Sequence, residues 1–262
     1  MTLILSLVRH GQSEDNPRGI WAGWRDAPLS KLGLRQAAAV SRSTTLATPP
    51  ITAIYASPLA RALTTGKAIH SVHPTVPFQI NPLLREQGFG DAEGSTWYEA
   101  LPDNVPSLDD AMLQGIYVKI FTREEHFPNG ESLNMVSARA REAFRVCVLP
   151  HLLSGEPGQH VVIAAHGMFI TEMVAMLQKL DPDNMDTRRY AGLKNTGWTR
   201  VEIDLKSDDA SGLGEAEVPP LTTRVTHFNQ HEHLGEVKPE PGEKETTGPV
   251  SQEAIKFFSG GE

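Results

Sequence analysis

Two histidines in this chain sit at the same kind of place. Each follows a short apolar run and precedes a glycine: Arg9-His10-Gly11 after LILSLV, and His166-Gly167 after HVVIAA. Two further stretches pair with them. YASPLARALTT carries Arg61, and LLREQGFGDAEG carries Glu86. The planar fork of an arginine matches the oxygens of a phosphoryl group. A neutral imidazole is a competent nucleophile near pH 7. The set therefore reads as machinery for phosphoryl transfer. His10 attacks phosphorus and becomes phosphohistidine. Arg9, Arg61 and His166 stabilise the charge that builds on the equatorial oxygens. Glu86 protonates the leaving oxygen and then activates the water that cleaves the phosphohistidine. Asn16 adds a neutral hydrogen bond, and Gly11 permits close approach of backbone and ligand. With arginines supplying the electrostatics, no metal and no cofactor is called for.

Such residues converge only if the chain brings several strand ends together. Apolar, β-branched runs predict strands over 3–8, 51–56, 76–84, 160–165, 199–205 and 223–228. Apolar spacing predicts helices over 29–47 (Ser30 as cap), 58–72, 107–122, 131–153 (opening near Glu131 or Ser132) and 168–180. Strands alternating with helices predict an α/β fold, a three-layer α/β/α arrangement with a mostly parallel central sheet. Ligands of such sheets bind beyond the carboxyl ends of the strands, where Arg9-His10, Arg61, Glu86 and His166 all fall.

Composition narrows the function classes. The 262 residues are 39% hydrophobic, enough for a full core, and carry a formal net charge of -8, which argues against nucleic acid as a direct partner. No apolar run is long enough to span a bilayer, and no signal peptide is visible, so no membrane role is expected. A single cysteine, Cys147, cannot form an internal disulfide; with its apolar helical setting it reads as core, in a protein of the cytoplasm or nucleus. The histidines of HSVH (His70, His73) and HFNQHEH (His227, His231, His233) invite a metal, but no site partner is evident and they read as surface groups. Trp21, Trp24 and Trp97 either line a pocket or anchor loops. The composition changes near residue 235, predicting a catalytic domain over 1–234 and a flexible acidic tail over 235–262 with a short apolar end.

Taken together, RHGQSEDN, SPLARALTT, LLREQGFGDAEG, FPNGES and AAHGMF resemble the histidine phosphatase superfamily, the phosphoglycerate mutase-like proteins, in the family's order over roughly residues 3–196. The resemblance implies that His10 is the phosphorylated residue. Arg9, Arg61 and His166 then form the phosphate pocket, with Gly167 beside it and Ser13 and Asn16 flanking it, and Glu86 is the acid/base. Gly23, in GIWAGWRDAPLS, falls near the site, and Asn195-Thr196 matches a late asparagine-containing loop. Arg139 follows the NGES motif at a family-like distance, but reads as a solvated or structural charge.

The segment after Glu86 departs from the mutase branch. GFGDAEGSTWYEALPDNVPSLDDAML is acidic and apolar, with no arginine pair. Phosphatase action on a phosphorylated small molecule or phosphopeptide is therefore expected over mutase action. LREQGFGDAEG with GES and a C-terminal extension looks most like the fungal branch, which includes a phosphatase-like subunit of the RNA polymerase III initiation factor IIIC and its paralogues. That likeness raises a second class of function, an interaction subunit whose tail, with Ile255, Phe257 and Phe258, binds a protein partner. For the enzyme, activity should be bell-shaped in pH, with His10 neutral and Glu86 protonated.

Overall fold

In the computed structural model, residues 2–98, 100–119, 122–206 and 218–244 are described. Strand β1 (Leu3–Arg9) lies near the centre of a six-stranded sheet. Its neighbours are β6 (His160–Ala165), parallel, and β7 (Trp198–Leu205), antiparallel. Outward from β6 come β2 (Ala53–Ala56) and then β3 (Phe78–Ile80), both parallel. Beyond β7 lies β8 (Leu221–Gln230), antiparallel to it. The order β3-β2-β6-β1-β7-β8 leaves β7 alone running against the others.

The apolar runs of β1 and β6 are buried on both faces, and period-two alternation divides them. Leu3, Leu5 and Leu7, with Val161, Ile163 and Ala165, face the larger core under α4 (Leu133–Cys147), α5 (Leu149–Leu153) and α6 (Gly167–Leu180). Val8 and Val162 face the smaller core, which Val40 of α1 (Lys31–Ser41) and Ile69 of α2 (Ala60–Ser71) complete. The three-layer arrangement follows. Ser30 caps α1 by accepting from Gly33 N at 3.1 Å, and Ser132 caps α4 by accepting from Met135 N at 3.2 Å.

Three expected elements differ. The helix expected over 107–122 is only α3 (Leu108–Leu113); Gly115 at φ 71° ends it, and the chain turns into β5 (Tyr117–Val118), which pairs in parallel with β4 (Trp97–Tyr98). The helix expected over 131–153 breaks at Val148, because Pro150 cannot continue the ladder of α4. The strand expected over 76–84 ends at Ile80 and a 3-10 turn takes over at Pro82. Residues 235–244, expected within a loose tail, run beside α1: Arg35 pairs with Glu243 and Glu240, and Gln12 Nε2 donates to the Lys244 carbonyl at 2.9 Å. Composition alone did not reveal Arg35 as their partner.

Cys147 is buried in the larger core, and burial pushes its thiol up to about 12. Among the described residues, no helix is long and apolar enough to cross a membrane.

A polar network crosses the smaller face. His160 Nδ1 lies 2.8 Å from the Pro49 carbonyl, which can only accept, so this nitrogen carries the proton. Its Nε2 then accepts from Ser6 Oγ at 2.9 Å, and Ser6 Oγ accepts from Arg200 Nε at 3.0 Å. Burial lowers the imidazole to about 4, and Arg200 adds to the effect. The unfolded imidazole titrates near its ordinary 6.5, so between these values only the unfolded chain takes up the proton. Stability should therefore fall as pH drops from about 6.5 towards 4, by about 3 kcal/mol from this residue. Urea unfolding at pH 7 and pH 4.5 checks this: His160→Gln should lose less stability over that interval than the wild type, and equal losses would remove His160 as the cause.

Candidate active site

β1, β2, β3 and β6 end at one edge of the sheet, and each contributes through its following residues. The β1 end gives Arg9 and His10. The β2 end gives Ser57 and, in the first turn of α2, Arg61. The loop after β3 gives Glu86, and the β6 end gives His166 and Gly167. His10 and His166 stand with ring centroids 5.1 Å apart and planes tilted by 59°. Both are buried, at 4% and 0% exposure, as is Arg61 at 2%.

His10 Nδ1 is 2.7 Å from the Gly11 carbonyl. Nδ1 therefore carries the proton and the lone pair lies on Nε2. Burial, reinforced by Arg61 and Arg9, holds the ring well below the ordinary histidine range, so it is neutral at physiological pH. His166 is lowered likewise, by burial first and then by Arg61. Burial lowers Arg9 and Arg61 too, against the opposing pull of Glu86.

Arg61 is held by the loop opposite: Nη1 donates to the Arg25 carbonyl and Nη2 to the Gly23 carbonyl, both at 2.7 Å. Gly23 sits at φ 47°, and a Cβ there would lie 2.1 Å from Glu93 Oε1, so only glycine fits. Arg9 Nη1 donates to the Leu193 carbonyl. Glu86 lies across the start of α6, its Oε1 accepting from Phe169 N and Gln87 N at 3.0 Å each and its Oε2 from Met168 N at 3.2 Å. Gly167 lies between these groups: a Cβ on it would sit 3.7 Å from Arg9 Nε and 4.0 Å from Glu86 Oε2.

One expected role reads differently in the geometry. The space beside Gly11 is taken by the Gly33 carbonyl oxygen, 2.5 Å from where a Cβ would stand, so this glycine admits α1 and not a ligand. Asn16 turns its Oδ1 to Ser13 N at 2.9 Å and Asn195 Nδ2 at 3.4 Å, closing the turn after His10. Asn195 Nδ2 and Thr196 N both donate to the His10 carbonyl, at 3.1 and 3.2 Å.

Three groups are poorly legible in sequence. Arg139, read as a solvated or structural charge, is structural and largely buried. It donates to the carbonyls of Leu83 (2.9 Å), Arg85 (2.7 Å) and Glu86 (3.0 Å) and grips Glu131 with Nε (2.8 Å) and Nη2 (2.7 Å). Glu131 in turn accepts from Gly88 N at 2.9 Å. Ser57 Oγ lies 2.8 Å from His166 Nε2. The spacing of NGES to Arg139 and the serine opening SPLARA are the signals that could have found them. The tryptophans divide: Trp21 anchors the 95–127 segment, packing on Phe89 and Phe127 and donating to the Tyr117 carbonyl, whereas Trp24 sits at the rim, donating to the Glu86 carbonyl at 2.7 Å under the Arg85 guanidinium.

Among the described residues, five buried side-chain polar atoms lack a partner, and three of them are Arg9 Nε, Ser13 Oγ and His166 Nδ1. Buried polar groups left unsatisfied are costly, and these three lie on His166 and on the chain flanking His10. A separate cavity of about 110 Å³, between α6 and the β7–β8 pair, has no such atom in its lining. The histidine clusters do not form a metal site among the described residues; His231 Nε2 faces Lys194 Nζ and His233 Nε2 faces Thr196 Oγ1, each at 3.0 Å.

An α/β sheet with two buried histidines, a buried and a half-buried arginine and a carboxylate at one edge defines a phosphoryl-handling protein. The chain belongs to the histidine phosphatase superfamily (branch 1), whose pattern matches residues 5–214. It is 31% identical over 233 residues to the 2,3-bisphosphoglycerate-dependent phosphoglycerate mutase of Parvibaculum lavamentivorans, covering 87% of this chain and 100% of that one. Among solved structures it is similar to a mycobacterial glucosyl-3-phosphoglycerate phosphatase, at 26% identity and TM-score 0.66, covering 87% of this chain and 99% of that one. The fold is shared with a phosphoserine phosphatase of Entamoeba histolytica at 23% identity and TM-score 0.60, covering 88% and 99% of the two chains. Membership of the family supports a phosphatase or mutase activity.

Proposed function

We propose that this chain is a phosphomonoesterase that works without a metal through a phosphohistidine on His10. The observation that carries the reading is the set of buried, unpartnered polar atoms, Arg9 Nε, Ser13 Oγ and His166 Nδ1, on His166 and on the chain flanking an imidazole whose lone pair is on Nε2. His10 Nε2 attacks phosphorus and the ester P–O bond breaks. Glu86 gives its proton to the departing oxygen. In the second half Glu86 takes a proton from water, the water oxygen attacks phosphorus, and the N–P bond breaks to restore neutral His10. Arg9, Arg61 and His166 hold the equatorial oxygens throughout. The proton for the first step can arrive with the substrate, because a phosphomonoester has a second pKa of about 6.

Phosphatase action is favoured over mutase action by the segment after Glu86. A mutase must hold a small substrate that is anionic at both ends. Here Arg123, one of the few basic residues of that segment, is drawn into a bidentate pair with Glu172 of α6, at 2.5 and 3.2 Å. The substrate class is a phosphorylated small molecule or phosphopeptide. The second reading, an interaction subunit akin to the fungal initiation-factor relatives, rests on the chain end SQEAIKFFSGGE, which lies outside the described residues.

Hydrolysis of p-nitrophenyl phosphate with chelator present tests the reading; activity that needs an added divalent cation would overturn it, and vanadate should inhibit. Glu86→Gln refines it. The nitrophenolate leaves without much help, whereas an alkoxide needs the proton. Glu86→Gln should therefore slow alkyl phosphates by about 10²–10³-fold and p-nitrophenyl phosphate markedly less. Equal losses on the two substrates would remove Glu86 as the acid.

A further inference from the structure

One buried hydroxyl in the site has no role in the chemistry just described. Ser57 follows β2 and is fully buried. Sheet register places it: Ala56 pairs with Ala164 across to β6, and Ser57 N donates to the Ala164 carbonyl, so the serine lies level with the end of β6 and the histidine beyond it. Its Oγ lies 2.8 Å from His166 Nε2 and accepts from Leu59 N at 3.3 Å.

Hydrogen bookkeeping fixes the rest. The Leu59 N–H occupies one lone pair of Ser57 Oγ. The hydroxyl hydrogen needs an acceptor, and His166 Nε2 is the acceptor within reach. An Nε2 that accepts carries no proton, so in a neutral ring the proton is on Nδ1. Nδ1 is the atom that is buried without a partner beside His10. The opposite tautomer would leave the hydroxyl hydrogen of a fully buried serine unsatisfied and would aim a lone pair at the phosphoryl oxygens, where negative charge grows.

We infer that Ser57 is a positioning residue that holds His166 in its Nδ1–H tautomer, so that a neutral histidine meets the transferring phosphoryl group as a hydrogen-bond donor. The inference deepens the proposed hydrolysis and rests on it for its catalytic consequence, but the tautomer can be read in the free protein. A charged His166 would donate from either nitrogen and need no such partner. Burial beside Arg61 and His10 keeps this ring neutral, and a neutral ring must be told which nitrogen carries its hydrogen. The same logic orders the neighbouring ring: the Gly11 carbonyl puts the proton of His10 on Nδ1 and frees Nε2 to attack. One histidine is set as nucleophile by an acceptor and the other as donor by a hydroxyl.

The test combines ring NMR and kinetics on the full chain. In ¹⁵N-histidine-labelled protein, with the His166 signals assigned through His166→Asn, the wild type should show a protonated Nδ1 and an unprotonated Nε2. Ser57→Ala should shift these signals towards a mixture of tautomers. A wild-type ring protonated on Nε2, or one unchanged by Ser57→Ala, would overturn the inference. In kinetics, Ser57→Ala should lower kcat for p-nitrophenyl phosphate and weaken vanadate binding, each about tenfold, with KM and the urea midpoint little changed. In the His166→Asn background the same substitution should cost less than twofold, because the ring it orients is gone. Equal losses in both backgrounds would make Ser57 a structural residue only. An inactive wild type would instead sink the hydrolysis and leave the tautomer to the spectra.

Discussion

His10→Ala is expected to abolish turnover of p-nitrophenyl phosphate, lowering kcat by about 10⁴-fold or more while the protein stays folded. Removing a nucleophile leaves only what binding and electrostatic preorganisation provide. The imidazole packs beside His166 and donates to the neighbouring Gly11 carbonyl, a local contact whose loss a water molecule can repair. Acid-labile, alkali-stable phosphate on the wild type during turnover, absent from His10→Ala, would identify the intermediate. Residual turnover within a hundredfold of wild type would mean that the attack comes directly from water.

The same geometry revises the expected pH profile. At its ordinary pKa a histidine nucleophile such as His10 would lose activity on the acid side by protonation. In the folded protein, burial with Arg61 and Arg9 keeps that ring neutral far below its ordinary range, so the nucleophile remains competent well into acid. Loss of activity on the acid side then falls to the loosening of the fold through His160 and should be accompanied by unfolding.

The residues gathered at the carboxyl edge of the sheet were legible in sequence because sheet topology does most of their placement. Apolar runs ending in Arg9-His10 and His166 had to be central strands, and central parallel strands share a carboxyl edge. The elements around the site were less legible because tertiary partners override local pattern. Apolar spacing carries a helix past Leu113, but Gly115 and the pairing of Tyr117 with Trp97 convert the continuation into strand. Asn16, expected beside the ligand, also closes a turn, its Oδ1 accepting from Ser13 N and Asn195 Nδ2. Arg139 lies on a helix rich in charge, where pattern gives no hint that it faces inward. The carbonyls it satisfies belong to residues about fifty positions earlier, and no local rule connects them.

That distant contact makes Arg139→Ala the substitution with the largest expected effect on stability. Arg139 and Glu131 are only 11% and 13% exposed, and the guanidinium donates to both carboxylate oxygens and to three backbone carbonyls. Breaking a buried pair by removing one partner typically costs about 3–5 kcal/mol, because the remaining charge is stranded. Arg139→Ala should therefore lower the unfolding free energy by about that much, measured by urea titration. Activity should fall further than the loss of folded protein accounts for. Glu86 is held from two sides: its carboxylate lies on the first amides of α6, and its carbonyl on Arg139 Nη2 and Trp24 Nε1. Without Arg139 the 83–88 loop keeps the first anchor and loses most of the second. The double variant Arg139→Met with Glu131→Leu separates the two effects. An apolar pair should recover part of the stability, since no charge is stranded. It cannot recover the hydrogen bonds to the Leu83, Arg85 and Glu86 carbonyls, so kcat for alkyl phosphates should stay at least tenfold low. A double variant with wild-type kcat would show that the N-terminus of α6 alone suffices to aim Glu86.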